Sequence, residues 1–304
     1  VTKEVQRDIE GGKALSEALA KHPKVFSYFF INMVKAGEIG GVLDTVLLRV
    51  AEHYEKESEL KRRIKSAMAY PTAMFGLILA LASAMIIFVV PIFAKMFEQF
   101  GSELPAPTRM LVNMSNFMTT KWYIILAVIA GLVYLFRKYK ATEAGRLNVD
   151  KIKLKLPVVG ILSRKLAVSR FSRTLGTLVS SGVPILQALD ITADTAGNAV
   201  VARAVRQTRA SIKEGETIAR PLSASDVFPP MVVQMVAVGE ETGALDTMLQ
   251  KVADFYEAEV SSTVEALTSM IEPLMIAVMG LIVGGMLVAL YMPMFSIITE
   301  MGGT

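Results

Sequence analysis

Few side chains in this sequence are suited to catalysis or to metal binding. The chain has no Cys, and its two histidines, His22 and His53, lie far apart and outside any H-E-x-x-H motif. His53 takes the place of Phe255 in a repeat described below, so we expect a packed side chain. The string EGGKA at 10–14 lacks the loop and the hydroxyl of a phosphate-binding P-loop, and the acidic cluster at 55–59 fits a solvated helix face. We therefore predict that the protein is not an enzyme and has no cofactor and no metal site.

The apolar residues concentrate in a few segments. The chain of 304 residues is 53% hydrophobic, with a mean hydropathy of +0.47. Residues 66–94 and 273–299 contain no charged side chain, and each exceeds the roughly 20 apolar residues that cross a bilayer as a helix. A weaker candidate at 122–136 can cross if residues 110–120 supply the missing turns and the flanking cations snorkel.

One part of the sequence occurs twice. The string KAGEIGGVLDT at 35–45 returns as AVGEETGALDT at 237–247, and the alignment extends without a gap over 26–101 and 228–303. We call these two ranges the first copy and the second copy. Fourteen identical pairs fall within 33–59 of the first copy. Each copy runs from an amphipathic helical stretch into an apolar run, so the repeated unit is a soluble helical module joined to a membrane helix.

The repeat and the charges together predict the organisation of the chain. If both modules lie on the same side of the membrane, the chain must cross back between them, and only 122–136 can provide this crossing. Lys and Arg cluster before the first span and after the second, which places both modules in the cytoplasm and the C-terminus outside. The predicted fold is an all-α membrane protein with two repeated cytoplasmic helical-bundle modules and three transmembrane helices. Its segments are the first module at 1–65, transmembrane helix 1 at 66–94, an external connector at 95–115, transmembrane helix 2 at 116–136, the second, six-helix module at 137–272, transmembrane helix 3 at 273–298 and an external tail at 299–304.

Prolines and small residues mark the predicted spans. Two prolines stand 20 residues apart in each copy, and such a spacing is about 30 Å along a helix, the thickness of the hydrocarbon layer. We expect all four to lie at membrane boundaries, where water or headgroups can bond the carbonyl that proline leaves free: Pro71, Pro91, Pro273 and Pro293. Rows of small residues permit close helix packing, within the chain or between chains: Gly76, Ala80 and Ala84 in the first span, and Gly280 and Gly284 in the last.

The repeated phrase itself predicts a tight corner between two helices. In each copy the first glycine is expected to end one helix in the left-handed conformation, and the aspartate to lie in the first turn of the next helix, where it complements the dipole. An alternative interpretation is that the glutamate presents an acidic knob to a cytoplasmic partner. The candidate partner-binding residues are Gly37, Glu38 and Asp44 in the first copy, and Gly239, Glu240 and Asp246 in the second.

Three phrases of the sequence, taken in order, resemble a known family. They are FSRTLGTLVSSGVPILQALDITADT at 171–195, VFPPMVVQMVAVGEETGALDTMLQKVADFYEAEV at 227–260 and EPLMIAVMGLIVGGMLVALYMPMFSIITEMG at 272–302. This pattern is similar to the GspF/PilC family, the inner-membrane platform proteins of type II secretion systems and type IV pili, and the likeness covers essentially the whole chain. The opening phrase at 171–189 has no counterpart before residue 1, where family members usually carry one, so we expect the first module to be N-terminally incomplete.

The resemblance implies a multi-pass scaffold in a bacterial inner membrane, with a cytoplasmic N-terminus and a periplasmic C-terminus. It implies that the modules meet a hexameric assembly ATPase and that the membrane helices guide pilin or pseudopilin subunits. Other inner-membrane assembly proteins, the lipid bilayer and further copies of the chain are the remaining expected partners. The net charge of +4 fits cytoplasmic Lys and Arg better than nucleic-acid binding. The alternatives are a cytoplasm-facing membrane anchor of another complex, and a small transporter subunit, which spans without a central charge disfavour.

Overall fold

The protein is helical throughout the part of the chain that the structure describes. The computed structural model describes residues 1–99 and 106–301, and every regular element within these ranges is a helix. The predicted all-α class is confirmed for these residues. In chain order the helices are α1 Thr2–Glu10, α2 Leu15–Ala20, α3 Tyr28–Gly40, α4 Leu43–Ala84, a π-helical stretch Met85–Val89, α5 Val90–Gln99, α6 Ala106–Thr120, α7 Trp122–Ala141, α8 Glu143–Lys155, α9 Val159–Ser180, α10 Ile185–Thr195, α11 Ala199–Lys213, α12 Ala219–Ser223, α13 Pro230–Thr242 and α14 Leu245–Met301.

The helices group into two compact units. Unit 1 comprises Val1–Ile64 and Thr142–Val264, and unit 2 comprises Lys65–Ala141 and Glu265–Thr304. Helices α4 and α14 are continuous through the points where the two units divide. Each copy of the repeat therefore contributes its amphipathic part to unit 1 and its apolar part to unit 2.

The main hydrophobic core of unit 1 is built from both copies. Phe29 and Met33 of α3, together with Val46 and Val50 of α4, are buried in one cluster with side chains from the later part of the chain. That later part contributes, among others, Phe171, Leu175, Leu178, Leu189, Val232, Val236, Leu249 and Val252. Burial of one such side chain contributes about 1.5–3 kcal/mol. The two regions are therefore held together by their own apolar surfaces and fold as one unit.

Polar side chains fix where several helices of unit 1 begin. Ser27 accepts a hydrogen bond from the N–H of Phe30 at the start of α3, and Asn198 accepts from the N–H groups of Val200 and Val201 at the start of α11. These amides have no partner within their own helix, so the side chains satisfy groups that would otherwise oppose helix formation.

Two helical segments of the described chain are long and apolar enough to cross a membrane. They run from Leu43 to Met96 and from Leu245 to Met292, and the predicted spans at 66–94 and 273–298 overlap them. Large apolar side chains along both segments are exposed, as Phe75 and Leu281 illustrate. Exposed apolar surface of this extent is typical of helices that face lipid.

The region of the third predicted span is bent. Helices α6 and α7 meet at Lys121 with an angle of 79° between them, as in a broken span or a re-entrant loop. Residues 110–120 therefore do not extend α7 in a straight line, which the range 116–136 assumed. Helix α7 has 20 residues and, at a rise of about 1.5 Å per residue, reaches about 30 Å without them.

Pro91 coincides with a change of helix type. Proline has no N–H to donate to the carbonyl four residues earlier, and its ring clashes with that carbonyl in an α-helix. The residue in question, Ile87, lies in the π-helical stretch Met85–Val89, where the wider turn moves the carbonyl out of α-helical register. Pro71 differs, because it lies inside the continuous helix α4.

The small residues of the predicted spans have open surroundings in unit 2. A methyl group added at Gly76, Gly280 or Gly284 would meet no atom within 4 Å. Ala80 and Ala84 are also exposed. The close packing that these rows permit is therefore not used within the described part of the chain, and contact with another chain stays a prediction.

A buried threonine bonds the carbonyl that the last proline leaves without a partner. Pro293 belongs to the helical backbone of α14 and cannot donate to Ala289, four residues before it. The hydroxyl of Thr108 in α6 donates to the Ala289 carbonyl instead, and Thr108 is fully buried. This contact replaces a missing helical bond and fastens α6 to α14 within unit 2.

We expect Thr108→Val to lower the stability of unit 2, because it leaves the buried Ala289 carbonyl unbonded at a cost of about 1–3 kcal/mol. The thermal midpoint of helix loss in detergent, followed by circular dichroism, measures the effect. Thr119→Val is the matched control, since Thr119 bonds only Ser115 and Asn116 of its own helix.

A second substitution sharpens the test. Pro293→Ala in the Thr108→Val background should restore stability, because alanine supplies an N–H to the same carbonyl. An unchanged midpoint in Thr108→Val itself would contradict the assigned role.

Candidate functional site

The predicted partner-binding residues lie at two equivalent corners of unit 1. In the first copy the corner joins α3 to α4, and in the second it joins α13 to α14. Each corner is two residues long, and each places the repeated phrase between a medium helix and the long helix that follows. The structure thus brings Gly37, Glu38 and Asp44 together at one corner, and Gly239, Glu240 and Asp246 together at the other.

Each glutamate of the phrase caps a neighbouring short helix. The carboxylate of Glu38 accepts hydrogen bonds from the N–H groups of Leu15 and, at 3.1 Å, Ser16, at the start of α2. The carboxylate of Glu240 accepts from Ile218 at 2.9 Å at the start of α12. It also accepts, at 3.4 Å, from the next residue, Ala219.

In this arrangement both carboxylates stabilise the start of a helix within unit 1. Amides at a helix start lack partners within the helix, and the positive end of the helix dipole favours an anion. The same contact occurs in both copies, with the partner residues offset by 203 rather than 202 positions. The repeated glutamate therefore fixes a short helix against the corner, and binding of a partner by the same group stays a prediction.

The left-handed glycines are not where we predicted them. Gly37 and Gly239 lie inside α3 and α13, so the prediction that they end these helices is wrong. The helices end at Gly41, with φ of 67°, and at Gly243, with φ of 73°. At the first corner Val42 donates to the carbonyl of Gly37, the bond that closes a helix whose last glycine is left-handed.

Gly37 and Gly239 are required for a different reason, the close approach of two helices. A methyl group at Gly37 would lie 3.1 Å from the Cα of Leu43, and one at Gly239 would lie 2.8 Å from the Cα of Leu245. The distance at Gly37 is tighter than most Cβ contacts and the one at Gly239 is too short for a Cβ, so a side chain would push the two helices apart. The two glycines therefore let each medium helix fold back tightly on the helix that follows.

The two aspartates lie where the sequence placed them, in the first turn of the long helices. Asp44 is an acidic residue in the first turn of α4, and Asp246 has the same position in α14. There each complements the positive end of the helix. Asp44 is exposed and Asp246 is partly exposed, so these carboxylates remain accessible while the glutamates are engaged.

An arginine that the sequence did not single out connects α9 to α14. Arg173 forms ion pairs of 2.6 Å with Asp254 and 2.8 Å with Glu257. Burial works against its charge, but the hydrogen bond to Asp254 and the attraction of Glu257 outweigh it and raise the pKa of Arg173. The motif F.R.L at 171–175 was visible in the sequence. Its acidic partners, more than 80 positions away, could only be identified from the fold.

His53 lies between the copies as a packed, neutral side chain. Its ring stacks on Phe29 with 4.2 Å between the ring centroids, beside a cavity of about 230 Å³ that α3, α4 and α9 line. Burial lowers the pKa of His53 to about 4, although the carboxylate of Glu57 works in the opposite direction. The expectation of a packed side chain is confirmed by this geometry.

No cluster of three or more His, Asp or Glu side chains suited to a metal ion occurs among the described residues. At the cavity beside His53 the hydroxyls of Ser27 and Tyr54 share a hydrogen bond, and at the two corners the carboxylates of Glu38 and Glu240 accept from backbone amides. The chemistry available at these places is hydrogen bonding, charge pairing and packing, which suits a protein that binds other proteins.

Comparison with known proteins gives a consistent result. The family model for type II secretion system (T2SS), protein F matches residues 1–91 and 171–293. The type IV pilus assembly protein PilC of Thermus thermophilus is 48% identical over 299 residues, which are 98% of this chain and 73% of the relative. The PilC protein of Myxococcus xanthus is 46% identical over 293 residues, 96% of this chain and 70% of the relative. The type II secretion system protein F of Xanthomonas campestris is 32% identical over 303 residues, 99% of this chain and 75% of the relative.

We expect Glu240→Ala to destabilise unit 1, because the amides at the start of α12 lose their acceptor. Loss of a helix cap costs about 0.5–2 kcal/mol, and Glu38→Ala should have a similar effect on α2. Chemical denaturation in detergent, followed by circular dichroism, measures the difference. Glu241→Ala is the matched control, since this neighbouring glutamate is exposed, and equal stability of the two alanine variants would contradict the capping role.

The buried imidazole predicts a dependence of stability on pH. His53 has a pKa of about 4 in the folded protein against an ordinary 6.5 when unfolded, so between these values the unfolded chain binds the extra proton. Its contribution is complete above about pH 6.5 and is lost as the pH falls towards 4, by up to about 3 kcal/mol.

His53→Phe, which installs the residue found in the second copy, should flatten the stability profile between pH 6.5 and pH 4. Thermal midpoints measured across this range report the slope, and His22→Gln should leave the slope in place. The same slope in His53→Phe and the parent protein would show that other groups cause it.

Proposed function

The chain belongs to the family of type II secretion system protein F, and on that premise we propose that it is the inner-membrane assembly platform of a type IV pilus. In this role it couples a cytoplasmic assembly ATPase to the insertion or extraction of pilin subunits. The observation that carries the proposal is the near-complete alignment with two proteins named for type IV pilus assembly, at 46% and 48% identity. A relative named for type II secretion is 32% identical, which favours the pilus over the secretion system.

Two cytoplasmic modules and three spans are the topology that best fits this function. Both copies contribute to one hydrophobic core in unit 1, and a single core cannot lie on two sides of a bilayer. Residues 65–141, which connect the two parts of this core, must then cross the bilayer and cross back, and α4 and α7 can make these two crossings. The exposed apolar side chains of α7 and the cations at its end support its role as the returning span.

With this topology we propose the following segments, adjusted to the ends of the helices. The first module occupies 1–65, and the second begins after α7, at 142 instead of 137, and runs to 272; both lie on the cytoplasmic side, and the connector and the C-terminal tail are periplasmic. The second span is α7, Trp122–Ala141, with α6 as a re-entrant or interfacial helix. The basic residues near both modules support the cytoplasmic side for the N-terminus.

The long helices supply a direct route from the modules to the membrane. Helix α4 has 42 residues and α14 has 57 residues, and neither is interrupted between its buried amphipathic part and its apolar part. A displacement of the shared core would therefore move the apolar segments with it. We propose that pilin subunits contact these segments, and that the open small-residue rows at Gly76 and Gly280 serve contacts with further copies of the chain.

The corners are the surfaces that we propose for the ATPase. Their glutamates are held by the caps of α2 and α12, which gives each corner a fixed shape. In the first corner Ile39 is 80% exposed and Asp44 is exposed, and in the second corner Glu241 is exposed and Asp246 is partly exposed. Exposed carboxylates on a corner of fixed shape are suited to recognition by a basic protein surface.

We expect the double substitution Asp44→Lys and Asp246→Lys to lower both recovery of the assembly ATPase with the full chain and the number of surface pili. The reason is that it reverses the corner charge without touching either glutamate cap. Co-purification from membranes and counting of pili by electron microscopy measure these effects. The double substitution Glu214→Lys and Asp226→Lys, which makes the same charge change at two exposed residues outside the corners, is the control.

Two outcomes would contradict the proposal at different levels. Normal pilus numbers after deletion of the gene would exclude the proposed function. Normal ATPase recovery in the double variant, with helix content unchanged, would exclude the corners as the docking surface and leave the platform function standing.

A further inference from the structure

The turn between α8 and α9 forms an exposed tip that is both apolar and basic. We call residues 151–165 the α8–α9 tip. Five of its large apolar side chains are 44–59% exposed: Ile152, Leu156, Val158, Val159 and Ile161. Adjacent exposed apolar residues of this number are unusual on a surface that faces only water.

The charges of the tip are all positive. The sequence KIKLKLPVVGILSRK contains five Lys or Arg and no acidic residue. Lys153 is paired with Asp150, and Lys165 with Glu259. Lys151, Lys155 and Arg164 are exposed and have no ion pair with any residue that the structure describes. Three uncompensated cations therefore surround the apolar side chains.

The backbone holds the apolar residues outward in a fixed conformation. Val158 has φ of 71°, and Val159 donates a hydrogen bond of 2.8 Å to the carbonyl of Pro157, which together form a tight γ-turn. A β-branched residue in this conformation is strained, and strain of this kind concentrates at functional sites. Gly160 completes the turn, because a methyl group there would overlap the carbonyl of Leu154.

We propose that the α8–α9 tip docks on the surface of the membrane. The apolar side chains enter the boundary between headgroups and acyl chains, and Lys151, Lys155 and Arg164 contact anionic headgroups. An apolar wedge rimmed by Lys and Arg is the composition that binds anionic bilayers, through burial and through charge.

The connection to α7 makes the bilayer the occupant that fits best. Thr142 alone separates the end of α7 from the start of α8, so α8 begins at the membrane boundary. This step rests on the proposed role of α7 as a span. Helix α8 has 13 residues, or about 20 Å of length, which keeps the tip within reach of the same leaflet. The positive-inside rule places this end of α7 on the cytoplasmic side. The cytoplasmic leaflet has an anionic surface, which attracts the three free cations.

The absence of Cys from the chain allows single labelling sites. Three variants of the full chain, Val159→Cys in the tip, Leu132→Cys in α7 and Gln207→Cys on an exposed face of α11, are labelled with the fluorophore NBD. Each is placed in nanodiscs of phosphatidylcholine, with or without phosphatidylglycerol. Quenching by lipids that carry a nitroxide, near the headgroup or deep in the acyl chain, reports the position of each label.

We expect the label at Val159 to shift to the blue and to be quenched by the shallow nitroxide, most strongly with phosphatidylglycerol. The label at Gln207 should remain unquenched. Each cation near an anionic surface contributes about a fivefold factor to binding, so replacing Lys151, Lys155 and Arg164 by Gln should weaken docking by about a hundredfold. Added salt should weaken it in the parent protein.

The label at Leu132 tests whether α7 spans the membrane, and so distinguishes a failure of membrane docking from a failure of the proposed topology. Deep quenching at Leu132 without quenching at Val159 would overturn membrane docking and leave the span in place. Quenching at Val159 without quenching at Leu132 would support docking and overturn α7 as a span. Shielding at Val159 that requires the assembly ATPase, and that lipid does not produce, would overturn docking on the membrane in favour of a protein contact.

Discussion

Backbone amides and carbonyls that are removed from water must find hydrogen-bond partners, and most of this structure follows from that requirement. In hydrocarbon an unbonded carbonyl costs several kcal/mol, so a membrane-crossing segment without strand partners has to be a helix. Wherever the helix is interrupted or begins, a specific group makes up the bond. Thr108 bonds the Ala289 carbonyl that Pro293 leaves free, the π-helical stretch accommodates Pro91, and two glutamates accept from the first amides of α2 and α12.

The sequence predicted the elements well because their signals are local. A long run without charge, an apolar stripe with a period of 3.6 and an internal repeat are all visible without knowledge of distant contacts. The long helices, the corners and the first-turn aspartates could be located in this way. The glycine that ends each helix was misplaced by four positions, because two glycines of the phrase are common to both copies. One is needed for its positive φ and the other for the close approach of the next helix, and sequence does not distinguish these demands.

The contacts between distant segments could not be predicted from the same signals. Three contacts depend on how distant segments pack: the hydrogen bonds of Glu38 to α2, the ion pair of Arg173 with Asp254, and the burial of Phe29 in a core shared with the second copy. The bend at Lys121 could not be predicted either. An apolar stretch with a single cation inside it is compatible with one straight span and with two helices. For the candidate site, the sequence therefore identified the residues but not the groups that each of them contacts.

The two long helices are not mechanical equivalents, although they come from the same repeat. Helix α4 passes into a π-helical stretch at Met85–Val89, whereas α14 is α-helical from Leu245 to Met301 and lacks only the bonds that Pro273 and Pro293 cannot donate. A π turn has a wider, less regular ladder and yields more readily to bending. A force applied equally to both helices would therefore bend α4 more readily than α14. The two copies of the repeat thus contain helices of unequal stiffness, so that equal forces on them would not produce equal displacements.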